Sequence, residues 1–426
     1  MDQAISYLKR LPFAEVKPGL GRVLALLEAV GHPQRSLPTV HITGTNGKGS
    51  VAAMIASVLR SAGYRTGLYT SPHLISYRER MRIYHPSISL FKEEGEREGW
   101  ISEDDFCALV DELMPIAESL ADRPTQFEFL TAMAFLYFAR QRVDIAVIEV
   151  GMGGRFDATN VVMPLVSVLT NVELDHTEFL GPTIEKIAWE KAGIAKPNVP
   201  FVTGERKPEA LSVIERECAA VGAPLVLAKR AIERLDFTWE YQEFQIESLG
   251  RVKLQLLGGY QRENLRVAVE ALRVLQERLV LSETAIRTGL ERARWPGRFE
   301  VVQIEPSVIV LDGAHNPHAI RALRDDLRRY IQKYQITKKL LLFGVLHDKD
   351  YPSMAQTLFS EFDEIVLVRP ESPRALDPTA LLRWAPRARI ASDVATALEM
   401  AHAAKPELLC VTGSLYLVGA VKRLLL

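Results

Sequence analysis

Apolar, β-branched runs alternate with helix-period stretches through the first part of the chain. Thr39–Thr43, Gly67–Thr70, Asp144–Val150 and Val166–Thr170 read as strands, with helical patterns between them at Ser50–Ala62 and Phe129–Arg140. Several of the strands are apolar without alternation, as in strands buried on both faces, and the succession predicts parallel βαβ units. At Arg294–Arg298 the sequence RWPGR breaks a helical stretch. A second series follows, with strands at Val308–Leu311, Leu340–Phe343, Glu364–Val368 and Leu408–Val411 and a helix from Pro317. The pattern predicts an α/β protein with a larger first domain over residues 1–295 and a smaller doubly wound one over residues 296–426. No internal repeat or low-complexity segment interrupts it.

Composition narrows the classes. At 426 residues two cores are expected rather than one. With 52 basic and 53 acidic residues and a net charge of −1, no broad electrostatic attraction to nucleic acid or membrane is expected. The opening MDQAISYLKR carries no signal-like apolar run, and no stretch is long and apolar enough for a transmembrane helix. Cys107, Cys218 and Cys410 make neither a disulfide framework nor a zinc spacing. A soluble cytoplasmic protein is the plain expectation.

Ligands of open parallel sheets bind outside the carboxyl ends of the strands. After the first strand comes Gly44-Thr45-Asn46-Gly47-Lys48-Gly49-Ser50 and then a helix. Glycines let several N–H groups face one anion, the helix N-terminus adds partial positive charge, and Lys48 adds a full one. The strict P-loop pattern is not met, because Ile42 holds the first glycine position and Gly49 separates Lys48 from Ser50. The second strand leads to Ser71, the third closes on Glu149 before Gly151-Met152-Gly153-Gly154, and the fourth leads to Asn171 and Asp175-His176. A carboxylate closing the apolar run DIAVIEV calls for a cation or hydrogen-bond donors nearby, unless it simply emerges into water. Oxygen ligands beside a triphosphate suit Mg²⁺, whereas softness alone would not give His176 to that ion.

One lysine falls on an apolar stripe. Ile184, Ile187, Ala188, Lys191 and Ala195 share a helical face, so Lys191 should point at the core. Either its ammonium snorkels outwards, or it is held near neutrality and can react with CO₂ to give an anionic carbamate.

The motifs HITGTNGKGS, YTSPHL with RERMRI, TQFEFLTA, IEVGMGGRFDATNVV, LTNVELDHTEFLG, IAWEKAGI, YQRENLRVAVEAL, RWPGRFE, LDGAHNP, DKD and VTGSLY occur in this order from residue 41 to about residue 419. As an ordered set they closely resemble the folylpolyglutamate synthase and dihydrofolate synthase family of the Mur ligase superfamily, in particular its bifunctional bacterial members. The resemblance implies a P-loop-type ATP-binding domain carrying the folate site, followed by a Rossmann-like glutamate-ligase domain. Gly47, Lys48, Gly49 and Ser50 would hold the ATP phosphates, and Asn264, Arg298 and Asp312 would contact the nucleotide. Ser71, Glu149, His176 and a carbamylated Lys191 would bind two Mg²⁺ ions. Thr125, Gln126, Phe127 and Glu128, with Phe156, Asp157 and Ala158, would line the pterin-bearing substrate. Lys48, Lys191 and His315 would serve the chemistry. That chemistry would be phosphorylation of the substrate carboxylate by ATP and attack of the glutamate amine on the acyl phosphate. A monomer acting on small molecules, with neither nucleic acid nor membrane as partner, is implied.

The sequence departs from the family at Tyr260, where histidine usually precedes the glutamine of YQRENL. The charged stretch His85–Trp100 also looks longer than usual and is expected to be a solvated loop. Three rivals weigh less. A ligase acting on UDP-sugar peptides would need a further N-terminal domain, for which the early Gly44 leaves no room. A catalytically silent ATP-binding relative would have no reason to keep Lys191. A generic P-loop kinase disagrees with the loop itself.

Overall fold

The computed structural model describes residues 1–12, 19–86, 98–303 and 305–425, so most of the expected loop at His85–Trp100 lies outside the described residues. The chain forms two compact units. The first comprises Met1–Glu233, Gln245–Val252 and Glu263–Ala293, and the second Arg234–Phe244, Lys253–Arg262 and Arg294–Leu426.

Among the described residues the first unit holds a seven-stranded sheet. Its strands are β1 (Thr39–Thr43), β2 (Thr66–Tyr69), β3 (Met81–Tyr84), β4 (Ile145–Glu149), β5 (Val166–Leu169), β6 (Phe201–Thr203) and β7 (Leu225–Leu227). They lie in the order β3-β2-β4-β1-β5-β6-β7, all parallel except β3, which runs antiparallel to β2 at the edge. Every residue of β1, β4 and β5 is buried, which is why these strands read as unbroken apolar runs. The helix Gln126–Arg140 packs Phe129, Leu130, Met133 and Phe138 into one core with Tyr69, Met81, Ala146 and Ile148 of the sheet. It begins one turn before its apolar pattern does, because Thr125 and Glu128 close a capping box that satisfies its first amides. A separate core joins Leu169 and Phe201 to the helices Ile184–Ala192 and Pro208–Val221.

Strands β8 (Ile232–Phe237), β9 (Gln242–Ile246) and β10 (Gly250–Leu254) form a three-stranded sheet that the sequence pattern left unread. The second unit holds β11 (Glu300–Gln303), β12 (Val308–Leu311), β13 (Lys339–Phe343), β14 (Glu364–Leu367), β15 (Arg389–Ile390) and β16 (Leu408–Thr412), in the order β11-β12-β16-β13-β14-β15. Only the β11–β12 pair is antiparallel. Val308, Val310, Leu341, Phe343, Leu408 and Cys410 join the core beneath the helices Pro317–Tyr334 and Tyr351–Leu358. Their alternates Ile309, Leu311, Leu340, Leu342, Leu409 and Val411 are equally buried, and the helices Val394–Ala403 and Leu415–Leu425 pack against these strands. Both faces of the sheet are therefore covered, as parallel sheets require.

Candidate active site

The four strand ends singled out above are neighbours in space, because β2, β4, β1 and β5 lie side by side and parallel. Their carboxyl ends share one edge of the first unit's sheet.

The loop after β1 is stitched to the segment after β5. Thr45 N donates to Asn171 O at 2.9 Å, Asn46 N to Asn171 Oδ1 at 3.0 Å, and Thr170 Oγ1 to Asn46 O at 2.6 Å. Gly44 and Gly47 have φ of +147° and +84°, and a Cβ there would come within 1.8 Å of Thr170 Oγ1 and 2.1 Å of Asn264 Oδ1. Glycine is therefore required twice over, by conformation and by close approach. Lys48 starts the helix Lys48–Ser61, and its Nζ donates to Gly44 O at 2.9 Å and Thr45 O at 3.2 Å, folding the side chain over the loop. Ser50 is buried in the same first turn.

Glu149, 4% exposed at the end of β4, accepts a hydrogen bond from Ser71 N at 3.2 Å, so these two candidate ligands touch. His176 takes the left-handed conformation, φ +50°, and its Nε2 lies 4.0 Å from Asp175 Oδ1. Such a φ is strained for histidine and persists where the surroundings impose it. Among the described residues no three His, Cys, Asp or Glu side chains form a ready cation cage. A hydroxyl and a carboxylate beside a loop of phosphate-binding type fit Mg²⁺, which takes few protein ligands and completes its shell with phosphate oxygens and water.

Lys191 does not snorkel. It is 3% exposed, and its ammonium makes no hydrogen bond or ion pair among the described residues. Burial, and then the charge of Lys48, pull its pKa down to about 7, against the opposing pull of Asp175, Asp157 and Glu190. The helix bearing Lys191 packs closely on the glycine loop, because a Cβ at Gly154 would lie 2.9 Å from Lys191 O.

On the substrate side the structure separates the expected residues. Thr125 caps its helix, and Glu128 accepts from Thr125 N at 2.7 Å and from Arg22 Nε at 2.9 Å and Nη2 at 2.9 Å. Gln126 Nε2 donates to Leu8 O at 2.8 Å. Phe127 lies against Gly151, where a Cβ would meet its ring at 2.5 Å. Phe156 is 45% exposed, while Asp157 and Ala158 are buried. Burial pushes the Asp157 carboxyl up, opposed by hydrogen bonds from Thr159, Met152 and Gly151.

In the second unit Asp312, just past β12, accepts from Phe299 N at 2.7 Å, Ala314 N at 2.7 Å and Tyr260 Oη at 3.2 Å. Tyr260, the unusual residue, is thus engaged with a candidate nucleotide ligand. Arg298 Nη1 donates to Gly297 O at 3.1 Å and packs over Gly313, where a Cβ would come within 2.4 Å of it. His315 Nδ1 lies 2.8 Å from Gly313 O, which only accepts, so Nδ1 carries the proton. Asn264, beside Gly47, belongs with Lys48, Ser71, Glu149, His176 and Lys191 in the first unit.

Residues 117–272 match the Mur ligase middle domain, and residues 297–415 the Mur ligase glutamate ligase domain. The chain is 36% identical to the dihydrofolate synthase/folylpolyglutamate synthase of Bacillus subtilis, over 97% of this chain and 96% of that protein. It belongs to this family. Among solved structures, the folylpolyglutamate synthase of Thermotoga maritima superposes with a TM-score of 0.85 at 38% identity, covering 99% of this chain and 96% of that one. The Escherichia coli FolC in complex with DHPP and ADP gives a TM-score of 0.84 at 31% identity, covering 99% and 97%.

As a member of the dihydrofolate synthase/folylpolyglutamate synthase family the chain is an ATP-dependent carbon–nitrogen ligase that acts on small molecules. No described helix is long and apolar enough to cross a membrane. Sequence reasoning missed the residues that brace this ligase's site from a distance. Glu205 accepts from Val172 N at 2.5 Å, and Lys207 Nζ donates to Val172 O at 2.9 Å and Glu173 Oε1 at 2.6 Å, pinning the loop that leads to His176. Thr43 Oγ1 donates to Gly153 O at 2.6 Å. A buried carboxylate or hydroxyl bonded to backbone across long sequence separations leaves no local spacing to read.

Proposed function

We propose that this ligase joins L-glutamate, by amide bonds, both to dihydropteroate and to tetrahydrofolate polyglutamates, by way of an acyl phosphate. The observation that carries the reading is the meeting, on one sheet edge, of the phosphate-type loop, the Ser71–Glu149 pair and the buried Lys191. Next to them runs the Gly151–Ala158 loop with its exposed Phe156.

In the first step a substrate carboxylate oxygen bonds to the γ-phosphorus of ATP, and ADP leaves. In the second the glutamate amine attacks the acyl carbon, the tetrahedral oxyanion collapses, and phosphate departs with the bonding pair while the amine loses a proton. The work of the protein is positioning and charge neutralisation. Gly47, Lys48, Gly49 and Ser50 hold the phosphates, and Asn264, Arg298 and Asp312 hold the nucleotide. His315, whose Nδ1 donates a hydrogen bond to Gly313 O, would take up the amine proton or neutralise a phosphate oxygen. Phe127, Phe156 and Ala158 shape the pterin side, with Thr125, Gln126, Glu128 and Asp157 holding that wall in place.

Ser71, Glu149 and His176 would hold Mg²⁺, with Lys191 as a further ligand once carbamylated. Bound there, the ions would neutralise charge on the phosphate oxygens. A lysine with a pKa of about 7 is substantially neutral amine at neutral pH. Its nitrogen adds to CO₂, loses a proton and leaves an anionic carbamate, which removes the buried cation. We also place the protein in the cytoplasm as a monomer, with its ATP-binding domain over residues 1–295, apart from the segments Arg234–Phe244 and Lys253–Arg262 that the second unit takes, and its glutamate-ligase domain over residues 296–426.

Mass spectrometry of products tests the reading. With ATP, Mg²⁺ and glutamate, one added glutamate is expected on dihydropteroate and on tetrahydrofolate, assayed separately. Product from tetrahydrofolate alone would leave a polyglutamate synthase only. No product from either, with ATP binding intact, would remove the folate assignment.

A further inference from the structure

The central strand β1 carries a histidine whose side chain is fully buried. A packed parallel sheet offers an imidazole nothing that valine would not supply, unless its nitrogens are used. His41 Nε2 lies 2.9 Å from Thr159 Oγ1, and Thr159 Oγ1 donates to Asp157 Oδ1 at 2.5 Å. Asp157 Oδ1 also accepts Thr159 N at 3.0 Å, and Oδ2 accepts Met152 N at 3.0 Å. The direction of the chain follows. The single hydroxyl proton of Thr159 is committed to Asp157, so His41 must supply the proton between Nε2 and Oγ1. That leaves Nδ1, which has no partner among the described residues, as a bare lone pair. The opposite tautomer would bury an unpaired N–H, which native structures avoid. Burial holds the imidazole neutral, with its pKa lowered to about 3.

Two residues further along the same face of β1, Thr43 Oγ1 grips Gly153 O at 2.6 Å. Strand β1 thus fastens the segment Gly151–Ala158 to itself at Gly153 and, just past its end, at Thr159, while its own carboxyl end opens into the phosphate-type loop.

We propose that His41 and Thr159 are positioning residues of the ligase, which act through Asp157 to hold the Gly151–Ala158 segment in the shape that receives the pterin-bearing substrate. This rests on the reading of that segment as substrate wall. The side chains do not touch the reacting atoms. Their loss should weaken capture of the pterin substrate while leaving nucleotide handling alone.

The test compares Thr159→Val, which keeps the shape and removes the hydroxyl, with Thr159→Ser, which restores it. KM for dihydropteroate is expected to rise on the order of ten-fold in Thr159→Val, with KM for ATP and kcat within about two-fold of wild type. Thr159→Ser should return close to wild type. An unchanged dihydropteroate KM, or equal rises in both KM values, overturns the proposal. His41→Leu serves as a second variant should Thr159→Val not fold, with the same selective rise expected. Hydrogen exchange separates this proposal from the functional one. Peptides covering residues 151–159 should exchange faster in Thr159→Val than in wild type while the rest of the first unit does not change. Unchanged exchange there overturns the proposal whichever substrate the enzyme uses, whereas wild type that ligates nothing to dihydropteroate overturns only the functional reading.

Discussion

A buried ammonium without a partner is among the more costly groups a fold can hold, and Lys191 is one. Lowering its pKa from 10.5 to about 7 sets the fold against the protonated form by on the order of 5 kcal/mol. Below about pH 7 the folded and unfolded chains both carry the proton, and the whole penalty is present. Between there and 10.5 the unfolded chain binds the proton and the folded one does not, so stability rises with pH. Lys191→Met should therefore be more stable than wild type in metal-free, CO₂-depleted buffer, with the advantage largest at pH 6 and shrinking by pH 9.5. Urea unfolding at the two pH values measures this, and an advantage that does not change with pH would show that the ammonium is not buried. The same substitution should lower the ligation rate by at least ~100-fold if the carbamate takes part in holding charge at the phosphates. The spacing Ile184, Ile187, Ala188, Lys191 placed the lysine on the inward stripe from sequence alone. Spacing could not decide whether the ammonium escaped outwards. That depends on Lys48, Asp157 and Asp175, which reach it from other parts of the chain.

At the level of elements, legibility followed the range of the forces involved. Buried strands such as β1 and β4 and the glycine loop after β1 are local patterns, and they could be read. Strand β3 is four residues long and sits in the charged stretch RERMRIY, so neither apolarity nor length marked it. The substrate-side stretch TQFE shows the difference most clearly. As a sequence it resembles a binding motif. In the structure Thr125 and Glu128 form a capping box, and Glu128 also binds Arg22, which lies 106 residues away. Arg22 and Glu128 are 9% and 8% exposed at the side chain, so the pair is desolvated and sensitive to loss of one partner. Arg22→Met should cost about 3 kcal/mol, because it leaves the carboxylate buried without its guanidinium. Adding Glu128→Leu should recover part of that loss rather than add to it, since the residues share one interaction. Chemical unfolding of both single variants and the double variant reads the coupling, and simple additivity would show that the two side chains act separately.

At the scale of the whole molecule, the chain does not divide at one point. It passes between the units after Glu233, Phe244, Val252, Arg262 and Ala293, so the second unit takes two of its segments from before the RWPGR break. Those segments carry core residues of that unit. Trp239 is 7% exposed and lies 4.4 Å from Tyr330 and 5.2 Å from Tyr334, between ring centroids. Phe237 meets Tyr330 edge-on at 4.8 Å. Gly259 N donates to Asp326 Oδ2 at 2.6 Å, and Tyr260 donates to Asp312. A fragment of residues 294–426 would therefore uncover the aromatic face of the helix Pro317–Tyr334 and leave Asp326, whose carboxyl burial already pushes up to about 6, without its backbone donor. Exposed aromatic area of that kind drives association and weakens the core. Expressed alone, this fragment should bind a hydrophobic dye and melt without a cooperative transition. A fragment of residues 232–426, which restores Trp239, Gly259 and Tyr260, should melt cooperatively even though it also carries segments of the first unit. Equal behaviour of the two fragments would mean that the family's glutamate-ligase domain is complete after RWPGR and that the two earlier segments only rest upon it.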